Sequence, residues 1–436
     1  MNDKYEVFLR DVKNEFSLNI HQALEMIHYF HKEMEMGLAG EKSSLKMLPS
    51  FVCPPKGTEK GTFLAIDLGG TNLRVLAVRL LGDGIIETVG VSRFAISDEV
   101  MTGTGNMFFD FISRCIEAFL KENHIAQERF DLGFTFSFPV IQSSIDRGVL
   151  ISWTKGFSVS GVEGRDVVGL LNDALIRNKM ESIHISAILN DTVGTLAAGS
   201  YMDPLCHMGV ILGTGTNACY SEKIKNIKKL KDPFSSDEMF INIEWGGFDR
   251  LERNIYDETV DKNSQNPGEQ RLEKMVSGLY LGEIAKIVVI HMIEKGYILS
   301  MGLQSILTEP YSFTTEQLSH LSSGSDIFKK SGIHISDTDR EIIREIACIV
   351  SERSARIAAT AIAAVVQWID PRLHNHHHIA IDGSLFEKYP GYKENMQSML
   401  EEIFGDLAKK ITLKLTHDGS GIGAAVVSAI EAHKRS

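Results

Sequence analysis

Cysteine is scarce in this sequence, and the few cysteines follow no pattern for metal binding or disulfide formation. The five cysteines are odd in number, none belongs to a Cys-x-x-Cys pair, and they are Cys53, Cys115, Cys206, Cys219 and Cys348. Scattered thiols of this kind are typical of reduced intracellular proteins and exclude a small disulfide-stabilised secreted domain. We therefore expect free thiols and a cytoplasmic protein.

Net positive charge and long apolar runs are also missing. The formal net charge is −12 and the pI is about 5.7, which disfavours nucleic acid or an anionic membrane surface as a partner. No uncharged apolar run reaches the roughly 18 residues that a membrane span requires. The N-terminal stretch MNDKYEVFLRDVKNEF has neither the apolar centre of a signal peptide nor the acid-poor composition of a transit peptide. We expect a soluble protein with no nucleic-acid or membrane partner.

The length and the hydrophobic pattern indicate a two-lobed α/β protein. A chain of 436 residues exceeds what one typical core accommodates, so two domains or one bilobal unit are expected. Apolar positions at three- and four-residue spacing over residues 5–38 predict one or two helices, and residues 341–369 predict a long helix. Between these helical regions, four runs predict strands: TFLAID, LRVLAVRLL, GIIETVGVSRFAI and DLGFTFSFPV. The run FFDFISRCIEAFLKEN, which lies between the last two, predicts a helix, and such mixing indicates an α/β architecture.

Two apolar runs end in similar glycine turns, LAIDLGGTN and HMGVILGTGTN. Backbone amides and threonine hydroxyls in such turns bind phosphate without a lysine, and Asp67 at the end of the first run would position Mg²⁺ through water. Ordinary hairpin turns, in which Asp67 and Asn72 only cap the turn, explain the same pattern. The repetition is a weak hint of two related halves.

Asp191 follows the apolar run ISAIL and precedes a helical run entered at Thr192. At this junction its carboxylate would accept a proton from a substrate hydroxyl, or it would only cap the helix. A single lysine is usually a surface residue, but Lys155 lies in a glycine-rich stretch between Trp153 and Phe157, which indicates a packed cleft edge. The histidine run HNHHHI has no matching acid or cysteine spacing, so we expect a surface loop before a strand rather than a metal site.

The motifs together resemble the eukaryotic-type hexokinase family from about Val7 to Ile430. They occur in order: LKMLPSFV, LAIDLGGTNLRV, LGFTFSFPV, SWTKGF, NDTVGT, GTGTNACY, NIEWGGF, NPGEQRLEKM, DGSLFEKYP and DGSGIGAA. The resemblance implies a single catalytic unit with the two-lobed actin/Hsp70/hexokinase-type (ribonuclease H-like) α/β fold and a cleft between the lobes. It divides the chain into a small lobe, 61–190 plus 419–436, and a large lobe, 1–60 plus 191–418.

The resemblance also implies an activity, ATP-dependent phosphorylation of a hexose at the 6-hydroxyl, which is the first step of glycolysis. Asp191 would be the catalytic base and Lys155 would stabilise the transferring phosphoryl group. The implied sugar contacts are Ser137, Thr154, Lys155, Asn190, Asp191, Asn217, Glu244 and Glu273. The implied ATP contacts are Asp67, Gly69, Gly70, Thr71, Asn72, Arg74, Gly213, Thr214, Gly215, Thr216, Gly383, Ser384 and Ser420, with Asp67 also holding Mg²⁺.

Alternatives remain open at the level of sequence. A sugar sensor without catalysis, or a kinase using pyrophosphate, polyphosphate or ADP, would carry many of the same residues. Ser152 and the loop IQSSIDRG depart from the family pattern, although neither departure removes a catalytic group. The pattern does not distinguish glucose, mannose and fructose, and a monomer and a homodimer fit equally well.

Overall fold

Two amphipathic helices open the chain, which a computed structural model describes over residues 2–70, 72–125, 129–298, 303, 307–325, 328 and 335–435. Helix α1 (Asn2–Glu15) and helix α2 (Ile20–Ala39) confirm the helical prediction for this region. Asn19 and Gln22 form a capping box at the start of α2, and Gly40 ends it in the left-handed conformation. Thr71, one of the predicted ATP contacts, lies outside the described residues.

The first large sheet has five strands in the order β4-β3-β2-β5-β8. Its strands are β2 (Lys60–Leu68), β3 (Asn72–Gly82), β4 (Ile85–Ala95), β5 (Phe130–Phe136) and β8 (Ile183–Leu189). The first three form an antiparallel meander, and β5 and β8 add in parallel on the other side of β2. A separate hairpin follows β5 and consists of β6 (Val140–Ser144) and β7 (Arg147–Leu150).

The second large sheet repeats this plan. Its strands are β1 (Leu48–Pro49), β9 (Cys206–Leu212), β10 (Thr216–Lys223), β11 (Glu238–Asn242), β12 (His377–Asp382) and β13 (Ile411–Leu415), in the order β1-β11-β10-β9-β12-β13. An antiparallel meander again comes first, and two strands again join in parallel beside its first strand. Both glycine turns therefore join the first and second strands of equivalent meanders.

Helices cover both sheets. The described α-helices after α2 are α3 (Asp98–Met101), α4 (Gly105–Glu122), α5 (Val167–Arg177), α6 (Asp191–Met202), α7 (Ile255–Asn263), α8 (Arg271–Val276), α9 (Leu281–Glu294), α10 (Thr315–Ser322), α11 (Asp337–Ile369), α12 (Ser384–Lys388), α13 (Tyr392–Phe404) and α14 (Gly419–Arg435). The predicted long helix is α11, and the predicted helix between β4 and β5 is α4. Among these described helices, none combines the length and the hydropathy of a membrane-spanning segment.

Helices α6 and α14 cross between the two sheets and pack against both. Helix α14 contacts β2, β5 and β8, whereas α6 contacts β9, β10 and β12. The crossing is close because glycines meet there: a methyl group on Gly423 would overlap the carbonyl oxygen of Gly194. A third apolar cluster, separate from the core of each sheet, surrounds this crossing and includes Leu189, Val193, Ala424 and Val427.

The histidine run is only partly the surface loop that the sequence predicted. His374 and His376 are exposed, but His377 already belongs to β12 and is 1% exposed. Its ring lies 4.8 Å from the ring of His207, between centroids, and it packs where β12 runs beside β9. The prediction was therefore wrong for His377, because pairing in the sheet begins one or two residues earlier than the apolar run.

Candidate active site

The predicted site residues of the first sheet come together at one edge because three of its strands are parallel. The carboxyl ends of parallel strands meet at the same edge, where α/β proteins commonly bind ligands. Asp67 lies at the end of β2, Ser137 follows β5, and Asn190 and Asp191 follow β8. Chain topology thus gathers residues that are more than one hundred positions apart.

Asp191 occupies the first turn of α6 and leaves the capping position to its neighbour. The side-chain oxygen of Asn190 accepts hydrogen bonds from the Thr192 amide at 3.0 Å and the Thr192 hydroxyl at 2.7 Å. Asp191 itself accepts one bond from the Thr192 amide, at 2.8 Å. The alternative in which Asp191 is the N-cap is therefore wrong, and α6 does not depend on this carboxylate for its cap.

Three charged residues of the site, Lys155, Asp67 and Glu244, affect the pKa of Asp191. Burial raises the pKa of Asp191 above its ordinary value, and the positive charge of Lys155 opposes that rise. The negative charges of Asp67 and Glu244 raise the pKa further. A carboxylate with a raised pKa holds a proton more readily, which suits a general base.

Lys155 is held in the loop between β7 and α5 by an unusual backbone conformation and by aromatic neighbours. Its φ is 57°, in the left-handed region, and its Nζ donates to the carbonyl oxygen of Ser137 at 2.8 Å. Trp153 and Phe157 stack with ring centroids 5.5 Å apart, as the predicted packed cleft edge requires. The Nζ also lies 5.3 Å from the Phe138 ring centroid. Thr154, beside it, is exposed.

A second group of polar side chains comes from the β10–β11 end of the other sheet. Asn217 donates from Nδ2 to Asn242 and to Glu244, at 2.8 Å each, and Asn242 also donates to Glu244 at 2.8 Å. Glu244 has a φ of 58°, again in the left-handed region. Asn242 was not among the predicted site residues, although it lies two positions before Glu244 in the NIEWGGF motif.

Glu273 joins this group from α8. Its Oε2 accepts the amide of Thr216 at 3.2 Å. Burial raises the pKa of Glu273, the Thr216 amide lowers it, and the nearby charge of Glu244 raises it again. Thr216 is buried, and its hydroxyl accepts from the indole of Trp245 at 3.0 Å. This predicted ATP contact is thus bonded to Glu273, a predicted sugar contact.

Gln270 is a further residue that sequence reasoning missed. It precedes α8 with a φ of 51°, and its side-chain oxygen lies so close to Gly246 that a methyl group there would overlap it. Four non-glycine residues at the site thus adopt left-handed φ: Lys155, Glu244, Gln270 and Asp418. Such conformations cost energy and concentrate at functional sites.

Arg74 ties the first sheet to the start of α14. Its guanidinium forms ion pairs with Asp67 and with Asp418, and donates to the Ser420 hydroxyl at 3.0 Å. Ser420 in turn donates to Asp67 at 2.8 Å. Asp382, at the end of β12, accepts the Gly419 amide at 3.1 Å. Burial raises the pKa of Asp382 to about 6, although the Gly419 amide and the charge of Arg74 act to lower it.

The glycines of the two turns differ in their surroundings. A methyl group on Gly69 or Gly70 would meet no atom within 4 Å, and neither residue has a left-handed φ. Packing and backbone strain therefore do not require glycine there, and a bare backbone facing open space suits the close approach of a ligand. Gly215 is confined by Glu273, whose Oε2 would lie 3.0 Å from a methyl group.

The remaining predicted ATP contacts lie around these turns. Gly383 has a φ of 131° and packs against the Leu212 carbonyl and Gly213, so the start of α12 abuts the second turn. Asn72 begins β3 beside the first turn. Thr214 and Ser384 are exposed. The structure thus brings the described members of the predicted ATP set to the ends of β2, β9 and β12.

The oxygen atoms near Asp67 fit a magnesium ion better than a protein-enclosed metal. No group of three or more His, Cys, Asp and Glu side chains in the described part of the chain has the arrangement of a metal site. Mg²⁺ is commonly held by one or two carboxylates together with phosphate oxygens and water. Asp67, with the hydroxyl of Ser420 beside it, provides that kind of partial donor set.

Comparison with known proteins gives one consistent family. Two family models, both described as hexokinase, match residues 8–201 and 207–430. Hexokinase-2 of Candida albicans is 37% identical over 97% of this chain and 91% of that protein. Hexokinase-1 of Rattus norvegicus is 39% identical over 95% of this chain but only 47% of its own length, so the chain spans about half of it.

Solved structures agree with these matches. The hexokinase from Schistosoma mansoni complexed with glucose is 34% identical, with a TM-score of 0.85 over 97% of this chain and 98% of that one. This likeness confirms the predicted two-lobed α/β fold of the hexokinase type. The chain belongs to the hexokinase family and is an enzyme of ATP-dependent hexose phosphorylation in glycolysis.

Proposed function

We propose that the enzyme transfers the γ-phosphoryl group of ATP to the 6-hydroxyl of glucose or a related hexose, with Asp191 as the general base. The observation that carries this proposal is the position of the Asp191 carboxylate. It is partly buried, it is not needed as a helix cap, and it lies within electrostatic reach of Lys155, Asp67 and Glu244. The glucose bound to the Schistosoma mansoni enzyme supports a hexose as the acceptor.

The sugar would lie between two sets of polar groups. Glu244, Glu273 and Asn217 from one side provide acceptors and donors in fixed geometry, which suits ring hydroxyls that both donate and accept. Asn190 and Asp191 border the sugar at the start of α6. Ser137, Thr154 and Lys155 would approach from the loops of the first sheet.

Phosphoryl transfer then depends on charge placement. Asp191 takes the proton of the 6-hydroxyl as that oxygen attacks the γ-phosphorus, and ADP leaves. The ammonium of Lys155 stabilises negative charge on the transferring group, and the backbone amides of the glycine turns hold phosphate oxygens. Because these donors are fixed before the reaction, little reorganisation is needed at the transition state.

Further residues of both sheets would hold the nucleotide. Asp67 would bind Mg²⁺, which neutralises phosphate charge when bound. Gly69, Gly70, Thr71, Asn72 and Arg74 would border the phosphates from the first sheet, and Gly213, Thr214, Gly215 and Thr216 from the second. Gly383, Ser384 and Ser420 would border the adenosine.

We assign the small lobe to 61–190 plus 419–436 and the large lobe to 1–60 plus 191–418. The sugar contacts come from both lobes, so sugar binding would favour closure. Closure excludes water, which is itself a hydroxyl acceptor for the phosphoryl group. The free thiols support a cytoplasmic location.

An assay of several hexoses against several donors tests the proposed function. Glucose, mannose and fructose would each be offered with ATP, ADP or pyrophosphate, with and without Mg²⁺, and hexose 6-phosphate would be measured. We expect product from ATP with Mg²⁺ and at least one hexose, and none without the metal. Glucose binding without transfer from any donor would instead identify a sugar sensor.

Changing Lys155 to methionine should move the pH dependence of turnover. The positive charge of Lys155 lowers the pKa of Asp191, so its removal raises that pKa. The base form of Asp191 is then lost at a higher pH, and the acid limb of the kcat profile shifts to higher pH. We also expect kcat to fall about a hundredfold.

Lys179→Met is the matched control for Lys155→Met. Lys179 also has a left-handed φ, 59°, and is exposed, but it lies after α5, away from the candidate site. Its profile should match that of the unmodified enzyme. An acid limb that stays in place in Lys155→Met would show that this ammonium does not act on the base.

A further inference from the structure

A buried ion pair lies directly behind the predicted sugar contact Glu273. Lys274, the next residue in α8, is 4% exposed. Its Nζ donates to Asp261 Oδ1 at 2.6 Å and to the carbonyl oxygen of Asn266 at 2.7 Å. Because successive residues of a helix point about 100° apart, α8 directs Glu273 towards Thr216 and Lys274 towards α7.

The same pair also holds the middle of the loop that leads from α7 into α8. Asp261, near the end of α7, accepts the amide of Gly268 with both carboxylate oxygens, at 3.0 Å each. Lys274 holds Asn266, two residues earlier. Gly268 has a φ of 85° and Gln270 a φ of 51°, so the loop turns through two left-handed residues before α8 begins. Side-chain contacts, rather than regular structure, define its path.

Helix α8 has only six residues, so its orientation depends on contacts with the surrounding structure. Isolated helices of this length are unstable because nucleation is unfavourable and only a few backbone hydrogen bonds offset it. Burial raises the pKa of Asp261, but Lys274 and the Gly268 amide outweigh that effect and lower it, so the carboxylate stays ionised. The direction of α8 therefore depends on the buried packing of Leu272, Met275 and Val276 together with this ion pair, which lies directly beside Glu273.

We propose that Lys274 and Asp261 are positioning residues for sugar recognition, which hold α8 so that Glu273 and Gln270 face Glu244 and Asn217. The inference rests on the proposed function, because it takes Glu273 as a sugar contact. Neither Lys274 nor Asp261 reaches the sugar. Their removal should therefore weaken sugar binding more than nucleotide binding, because α8 reaches the second glycine turn only through Glu273.

A second buried lysine in the same lobe provides a matched control. Lys286 of α9 is also 4% exposed, pairs with Glu283 at 2.7 Å, and donates to the carbonyl oxygen of Glu309 at 2.9 Å. It ties α9 to the segment before α10 and contacts no predicted site residue. Lys274→Met and Lys286→Met thus remove the same kind of interaction, a buried ion pair with one bond to a backbone carbonyl.

The experiment compares KM for glucose, KM for ATP and Tm in the two variants. For Lys274→Met we expect KM for glucose to rise about tenfold or more, because small displacements of positioned groups have large effects. KM for ATP should rise clearly less than KM for glucose, since the nucleotide side is coupled to α8 only through the contacts of Glu273 with Thr216 and Gly215. Lys286→Met should lower Tm to a similar extent and leave both KM values unchanged.

Two further variants keep the result decisive. Asp261→Asn retains the volume of the side chain, and it decides the question if Lys274→Met does not fold. Glu273→Gln tests whether Glu273 is a sugar contact, separately from the positioning role of Lys274 and Asp261. If Glu273→Gln leaves KM for glucose unchanged, the assigned sugar contact is wrong. If it raises KM while Lys274→Met and Asp261→Asn change only Tm, the positioning role alone is overturned.

Discussion

Replacing Asp191 by alanine should lower kcat by about a hundredfold or more and leave glucose binding largely intact. The carboxylate is the proposed acceptor for the proton of the attacking hydroxyl, and no other group would take that role at the start of α6. Helix α6 keeps its cap because Asn190 provides it, so the fold should survive the change. Steady-state kinetics with an ADP-coupled assay measures kcat, and calorimetric titration measures glucose binding.

Asp191→Asn separates charge from volume in this test. The amide fills the same space and still accepts the Thr192 amide, but it does not accept a proton from the sugar. It should be as inactive as Asp191→Ala. If either variant retained nearly the original kcat with glucose still bound, another group would have to be the base.

Gly423→Ala should destabilise the protein more than alanine at any other helix glycine that the structure describes. The added methyl would overlap the Gly194 carbonyl, so α6 and α14 would have to separate. Overpacking of this kind costs about 1–3 kcal/mol, and here both partners are backbone, so we expect the upper part of that range. Activity should fall as well, because α6 carries Asp191 on its first turn.

Gly169→Ala is the control for this change. Gly169 lies in α5, and the nearest atom to an added methyl would be the Asp166 carboxylate at an ordinary 3.4 Å. Alanine is a better helix former than glycine by about 1 kcal/mol, so this variant should be equally or more stable. Urea unfolding measures both. Equal stability of the two variants would mean that the crossing adjusts without cost.

Local patterns predicted the elements of the fold well, because the signals lie within each element. The three- and four-residue spacing in residues 5–38 predicted helix there, although not the break between α1 and α2, and the unbroken run in residues 341–369 predicted α11. The glycine turns were found in the same way. That the two turns occupy equivalent positions in two sheets of the same topology became clear only from the strand pairing, which cannot be read from the sequence.

The contacts that the sequence did not predict are long-range ones. Arg74 and Asp418 are 344 positions apart, and no local pattern pairs them. Asn242 and Gln270 lie inside recognised motifs, but only the structure shows that Asn242 donates to Glu244 and that Gln270 packs against Gly246. The sequence also did not decide whether Asn190 or Asp191 caps α6. The cap is Asn190, and which of two adjacent residues becomes the cap depends on their backbone angles. The roles of the site residues themselves stay predictions until the variants are measured.

The four left-handed residues Lys155, Glu244, Gln270 and Asp418 have a consequence for the evolution of the enzyme. Each side chain holds a conformation that costs roughly 1–2 kcal/mol and that glycine adopts freely. Glycine at these positions would relieve the strain and remove the group that the site uses. Selection for heat resistance and selection for turnover would therefore act on these positions in opposite directions. The most stable form of this chain and its most active form are different sequences.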